Sequence, residues 1–332
     1  MKKIILITVV VLATALIGGY FYYQQIRPNN LEKITYGWNA WPGELPYLVA
    51  YERGFFKQEG LDVNLVEEGN YVNLLSDLTA GKINFSGGTA LIDVVAKDSQ
   101  GEKLKIILAT DYSDGADGII AKNEIKNVSQ LKGKRIAVEV GTLGEYLLYD
   151  ALKKSNLNLT DVQIVNLSAQ ESANAFASNS VDAAVTYEPY YSQVMKLGKG
   201  WGIYTSADSP GLIIDALVFK SDYVANNPTK VAAVTRAYFK AMDFIAANPD
   251  AAYEIGAKYF KISAAELKAQ FATIKLVGLG GNQNLMAYNT NRDSLHGLIR
   301  QAGVFLKEKG LIRDMIDSTE IIDPSFVREI IK

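Results

Sequence analysis

The stretch KLKIILATDYSDGADGIIAK, residues 103–122, decides how the rest of the chain is read. Lys105–Thr110 is an unbroken apolar run, the pattern of a strand covered on both faces of a sheet. Asp111, Asp114 and Asp117 then follow within seven residues. Gly115–Lys122 leaves this cluster as a second short apolar strand beside glycine. A matching segment, Ile213–Lys220, begins just after Pro210 and Gly211. Read as a pair, the two segments are crossings between lobes. Lobe 1 is then discontinuous, 31–118 and 215–332, and lobe 2 is an insertion, 119–214. A double crossover of this kind is a hinge, and it permits closure over a central cleft.

The pattern on either side agrees. Strand-like segments Ile34–Trp38, Asp62–Val66 and Ile83–Ser86 alternate with helical spacing over Glu44–Phe56 and through Leu74, Leu75 and Leu78. The alternation restarts with strand Arg135–Val140, helix Leu143–Lys154, strand Val162–Leu167, helix Glu171–Ser178 and strand Val181–Thr186. Such repetition specifies an α/β protein with two lobes. The last third reads as helical and is expected to pack on lobe 1. Asn227-Pro228 and Asn248-Pro249 mark helix starts, and Ser263 with Glu266 fits a capping box.

Composition removes several classes of function. The 332 residues carry 34 basic and 36 acidic side chains, a net charge of −2 with no basic stripe, which argues against a nucleic-acid partner. There is no cysteine, so disulfides, thiolate metal sites and a lipid-modified cysteine are impossible. The lone histidine, His296, leaves little for metal or triad chemistry, and no cofactor motif is present. No Walker loop occurs, so any ATPase is a separate subunit.

The N-terminus predicts membrane targeting. Lys2 and Lys3 precede an apolar run, Ile4–Tyr23, and twenty helical residues span about 30 Å. Residues 1–30 are therefore expected to form an N-terminal transmembrane helix and tether, with the globular part extracytoplasmic at the cell membrane. The competing reading is a cleaved signal peptide at Ala13-Thr14-Ala15, which would release a secreted form.

Four segments, in order, carry a resemblance: PYLVAYERGFFKQEGLDVNLVEEG (46–69), VSQLKGKRIAVEVGTLGEYLLYDAL (128–152), VDAAVTYEPYYSQV (181–194) and PGLIIDALVFKSDYVANNP (210–228). They resemble the solute-binding proteins of the nitrate, sulfonate and taurine class of ABC importers. The resemblance covers about residues 33–320 and implies a two-lobed type II periplasmic-binding-protein fold, a non-catalytic role, one small ligand, and delivery to an ABC permease. Members from monoderm bacteria often carry a lipobox cysteine, which this chain lacks.

Ligands of open α/β sheets sit beyond the carboxyl ends of strands, beside helix starts. Three junctions have suitable composition: Asn39, Trp41 and Pro42; Gly87, Gly88 and Thr89; Gly141 and Thr142. The acids are sharper candidates. Asp111 and Asp117 lie at the first crossing, Glu188 follows the last strand of lobe 2, and Asp215 interrupts the apolar strand LIIDALVF. An aspartate there is costly to bury without a partner. Glu139 and Glu145 flank Gly141 and are weaker candidates, and Asp114 reads as a turn residue. Trp38, Trp41, Tyr187 and Tyr190 would supply apolar or cation–π walls. The expected ligand bears a positive or N–H-donating nitrogen, as an amine or as a zwitterion with its anion on a helix start. The alternatives are core packing for the aromatics, and helix capping for the threonines. Rival functions are a membrane-held sensor and a carboxylate enzyme. Thiamine-pyrimidine synthases resemble this architecture but draw on a histidine and a cysteine-rich motif.

Overall fold

Apolar runs bounded by glycine become strands wherever both faces are covered, and among the described residues eleven strands sort into two sheets. The computed structural model describes residues 31–289, 291 and 293–331. In chain order the strands are β1 (Glu32–Trp38), β2 (Leu61–Glu67), β3 (Phe85–Ala90), β4 (Leu104–Ser113), β5 (Asp117–Lys122) and β6 (Arg135–Val138). Then come β7 (Gln163–Asn166), β8 (Ala183–Tyr187), β9 (Gly200–Thr205), β10 (Ile214–Lys220) and β11 (Ile274–Leu276). The six-stranded sheet has the order β11-β4-β10-β3-β1-β2, and the five-stranded sheet β7-β6-β8-β5-β9. β1 runs parallel to β3, whereas β10 is antiparallel to both β3 and β4. In the second sheet β6 is parallel to β7 and β8, and β5 is antiparallel to β8 and β9. This is an α/β, two-sheet architecture.

The chain passes between the sheets twice, after Ser113 and after Thr205. The two passages are tied together: Ser113 Oγ and Ser206 Oγ lie 2.6 Å apart, and the Gly115 N–H donates to Ser206 Oγ. Gly115 takes φ +113, a conformation open to glycine. The two sheets and their helices together form one compact unit, Lys33–Lys332.

Several local expectations change. Helix Glu44–Phe56 is a 3-10 turn, Pro42–Glu44, followed by Leu45–Glu52 and a separate turn, Phe55–Gln58. Gly54 at φ +71 makes the break. β3 extends to Ala90, so Gly87, Gly88 and Thr89 lie within a strand rather than at a helix start. β9 and β11 escape the pattern because one is glycine-rich, GWGIYT, and the other has only three residues. In the last third, helix Pro228–Ala247 packs on Leu45–Glu52, with Tyr238 and Tyr47 centroids 5.0 Å apart. The Ser263–Glu266 capping box forms. Among the described residues no helix is long and apolar enough to cross a membrane. The N-terminal anchor, or signal, falls on residues 1–30, outside the described residues.

Candidate functional site

Pairing geometry gathers the acids. Asp117 opens β5 directly opposite Tyr187 at the end of β8. Cross-strand partners share a sheet face, so the carboxylate and the ring stand together. In the other sheet, Ile214 pairs with Tyr112 and Ala216 with Ala109. Asp215 therefore opposes two residues, Thr110 and Asp111, in a β-bulge of the kind common beside functional sites. Its other neighbour is Ala90 on β3.

These elements surround a small cavity of about 20 Å³. Its walls combine Trp41, Tyr71 and Tyr187 with Asn39, Asp117 and Asp215, completed by Gly88, Leu143 and Ile213. Trp41 and Tyr187 meet edge to face at 6.2 Å and 87°, and Tyr71 and Tyr187 at 6.3 Å and 71°. Gly88 is required by a close approach: a Cβ there would lie 2.7 Å from Glu44 Oε1.

Among the described residues the walls contain no lysine or arginine. Around them lie Glu44, Asp93 and Asp111, all buried. Burial, before any other cause, pushes every one of these carboxyls upward: Glu44 to about 8, and Asp93, Asp111 and Asp117 each to about 7. Asp215 is raised well above its ordinary value by burial and then by Asp111, Asp117, Glu44 and Asp93. Repulsion between two carboxylates 4 Å apart is on the order of 4 kcal/mol at an effective dielectric near 20. The group is thus an uncompensated cluster of acids.

Its polar atoms are also short of partners. Asn39 Oδ1, Glu44 Oε1, Tyr47 Oη, Ser86 Oγ, Thr89 Oγ1 and Asp117 Oδ2 are buried without a hydrogen-bond partner among the described residues. Each such group costs about 1–3 kcal/mol when left unpaired. Two of these oxygens, Asp117 Oδ2 and Asn39 Oδ1, belong to residues that line the cavity. They call for N–H donors. Among the described residues no acidic group converges as a metal site.

The expected residues divide. Trp41, Gly88, Asp117, Tyr187 and Asp215 line the cavity together, with Asn39. Asp111 stands behind the wall and accepts from Trp41 Nε1 at 3.2 Å, which orients the indole. Thr89 is buried in β3 outside the lining. Trp38 is core: it packs edge to face on Tyr259 and Phe260, because it ends β1 against the C-terminal helices. Glu188 turns toward its own helix, accepting from Ser192 Oγ at 2.6 Å, and does not line the cavity. Tyr190 sits behind Tyr187, with centroids 6.0 Å apart. Asp114 pairs with Lys275 at 2.7 Å. His296 is satisfied by Ser318 Oγ at 2.8 Å.

At the helix start of Gly141 and Thr142 two N–H groups already have partners within the same turn. Thr142 Oγ1 accepts from the Gly144 N–H, and Glu145 Oε2 accepts from the Gly141 N–H. Glu145 in turn holds Lys309 at 2.7 Å. The helix Leu143–Lys154 thus caps two of the N–H groups at its start and is tied to the helix Leu295–Glu308 region, where Tyr146 and Tyr149 pack on Phe305 with centroids 5.0 and 4.9 Å apart. Sequence reasoning missed Tyr71, Leu143 and Ile213 in the wall, and Glu44 and Asp93 behind it. Tyr71 follows a polar turn, and the two acids look like ordinary first-turn helix residues.

Comparison with known proteins agrees with the fold. The family described as NMT1/THI5 like matches residues 41–252. A protein of Brucella abortus (strain 2308), named for binding without a ligand, is 30% identical over 227 residues, 67% of this chain and 69% of its own. The taurine-binding periplasmic protein of Escherichia coli (strain K12) is 25% identical over 201 residues, 59% of this chain and 61% of its own. The crystal structure of the periplasmic aliphatic sulphonate binding protein SsuA from Escherichia coli superimposes with TM-score 0.73 at 20% identity, over 88% of this chain and 92% of that one.

Proposed function

Because the chain belongs to the NMT1/THI5-like family, we propose that it is the extracytoplasmic solute-binding component of an ABC importer. It captures a small nitrogen-bearing ligand between lobes 31–118 with 215–332 and 119–214, and delivers it to a membrane permease driven by a separate ATPase. The observation that carries the ligand class is the cavity wall itself: Asp117 and Asp215 with an unpartnered Asp117 Oδ2, and no cation among the lining residues. An ammonium or amidinium placed there converts acid–acid repulsion into attraction, and the three aromatic rings add a cation–π surface. The Gly141 and Gly144 N–H groups are already taken, which leaves a zwitterion's anion fewer donors at that helix start. This favours a cation over a taurine-like or sulfonate-like ligand.

Calorimetric titration with simple amines, taurine, alkanesulfonates and nitrate tests the reading. Amines should bind, and Asp117→Asn should weaken them about tenfold or more. Tight binding of nitrate or a sulfonate, undiminished in Asp117→Asn, overturns it. A carboxylate-based enzyme is the second reading, favoured by Asp111 and Asp117 titrating near pH 7, where acid–base groups work best. Mass spectrometry of each bound amine after incubation separates turnover from capture.

A further inference from the structure

A groove of about 530 Å³, open to solvent, shares no wall residue with the acid-lined cavity. It runs between two helices that belong to different sheets. One is Leu143–Lys154, packed on β5 and β8; the other is Leu295–Glu308, packed on the helix Leu91–Ser99 of the six-stranded layer. Spacings of three and four put Tyr146, Tyr149 and Asp150 on one face of the first helix, and Gly297, Arg300 and Val304 on one face of the second. Phe305 joins the two sides, and Gly297 contributes no side chain to fill the space between them.

Two polar groups in this wall are unpartnered. Arg300 is exposed and makes no ion pair among the described residues. Tyr146 is only 6% exposed, yet its hydroxyl makes no hydrogen bond among the described residues. The Tyr149 hydroxyl, by contrast, donates to Glu308 at 2.5 Å. The one acid of the wall, Asp150, is already in use: Lys154 lies 3.2 Å away, and the carboxylate accepts from Tyr204 Oη at 2.6 Å and from Ser209 Oγ. Lys153 Nζ stands 5.3 Å from the Tyr149 ring centroid and adds positive charge beside the groove. The sign is therefore opposite to that of the acid-lined cavity.

We propose that this groove is a second binding site, for a small aromatic carboxylate, with the anion on Arg300 and the Tyr146 hydroxyl and the ring against Tyr149, Phe305 and Val304. A guanidinium presents its N–H groups in a fork that matches a carboxylate. The ring would cover Val304, which is 46% exposed. The volume is that of a small-molecule site, about 300–1,000 Å³. The proposal does not depend on what the acid-lined cavity binds.

The test is isothermal titration of the full chain with benzoate, acetate and benzyl alcohol, repeated in Arg300→Gln, Tyr146→Phe and Asp117→Asn. Benzoate should saturate one site and bind tighter than acetate, which lacks the ring, and tighter than benzyl alcohol, which lacks the charge. Its affinity should fall about tenfold or more in Arg300→Gln, the worth of hydrogen bonds between charged groups, and about threefold to tenfold in Tyr146→Phe, which keeps the ring contacts. Asp117→Asn should leave it unchanged. No saturation by benzoate, or an affinity undiminished in Arg300→Gln, overturns the site. Benzoate no tighter than acetate or benzyl alcohol overturns the ligand class. Full affinity in Tyr146→Phe overturns the role given to that hydroxyl. Benzoate binding altered by Asp117→Asn places the anion in the acid-lined cavity and overturns both this site and the cation reading.

Discussion

Replacing Asp117 with asparagine removes one buried negative charge and keeps the side chain's size. In the folded chain burial comes first, with Asp111 and Glu188 adding repulsion, and together they move the Asp117 carboxyl from an ordinary 3.8 up to about 7. At 1.36 kcal/mol per unit, ionisation in that site is disfavoured by about 4 kcal/mol. The folded value lies above the unfolded one. Asp117 therefore supports the closed form fully below about pH 4, loses that support as pH rises toward 7, and changes little beyond. Opening the cleft rehydrates the carboxylate, so part of the loss emerges as opening before unfolding. Asp117→Asn should then differ little from the parent at pH 4, be more stable by about 1–2 kcal/mol at pH 5 and by about 4 kcal/mol at pH 8. It should also stay compact where the ligand-free parent expands. Calorimetric unfolding from pH 5 to pH 8, with small-angle scattering of the same samples, measures both effects. A variant less stable than the parent at pH 8, or a parent whose stability and radius ignore pH over that range, refutes the reasoning.

Other substitutions probe the supports of the cavity. Trp41→Phe removes the indole donor to Asp111 and should cost about 1–3 kcal/mol in denaturant unfolding, because a buried acceptor is left without it. Gly88→Ala pushes a methyl to 2.7 Å from Glu44 Oε1; it should lower stability by about 1–3 kcal/mol and weaken any amine bound in the cavity, read by titration. Lys309→Ala strands the buried Glu145 carboxylate. Since Lys309 is itself partly exposed, the expected loss is about 1–2 kcal/mol rather than the full value for a buried pair, with a larger scattering radius if the pair helps hold the lobes together.

Much of the fold could be read from pattern alone, because period-two and helical spacing are local. The apolar run Lys105–Thr110 sits in β4, and Ile213–Lys220 contains β10. The same reasoning found Asp117 and Asp215, since an acid in an apolar strand is anomalous wherever it occurs. It could not separate Trp38 from Trp41. Three residues apart, one ends β1 against Tyr259 and Phe260, and the other turns to meet Tyr187 from the opposite sheet. Nor could it find Glu44, Asp93 or Tyr71, whose local settings are an ordinary helix start and a polar turn.

From composition and periodicity alone come the α/β class, the two crossings, the absence of thiol chemistry, and the suspicion that acids do the binding. Which acids converge depends on distant strands: the bulge that sets Asp215 against Thr110 and Asp111, and the pairing that stands Asp117 beside Tyr187. Only the folded chain also shows that Glu145 fills the helix start at Gly141, so that negative charge gathers where no cation lies in the wall. Electrostatic energy depends on separation and burial in space, and neither quantity is carried by the order of residues along the chain.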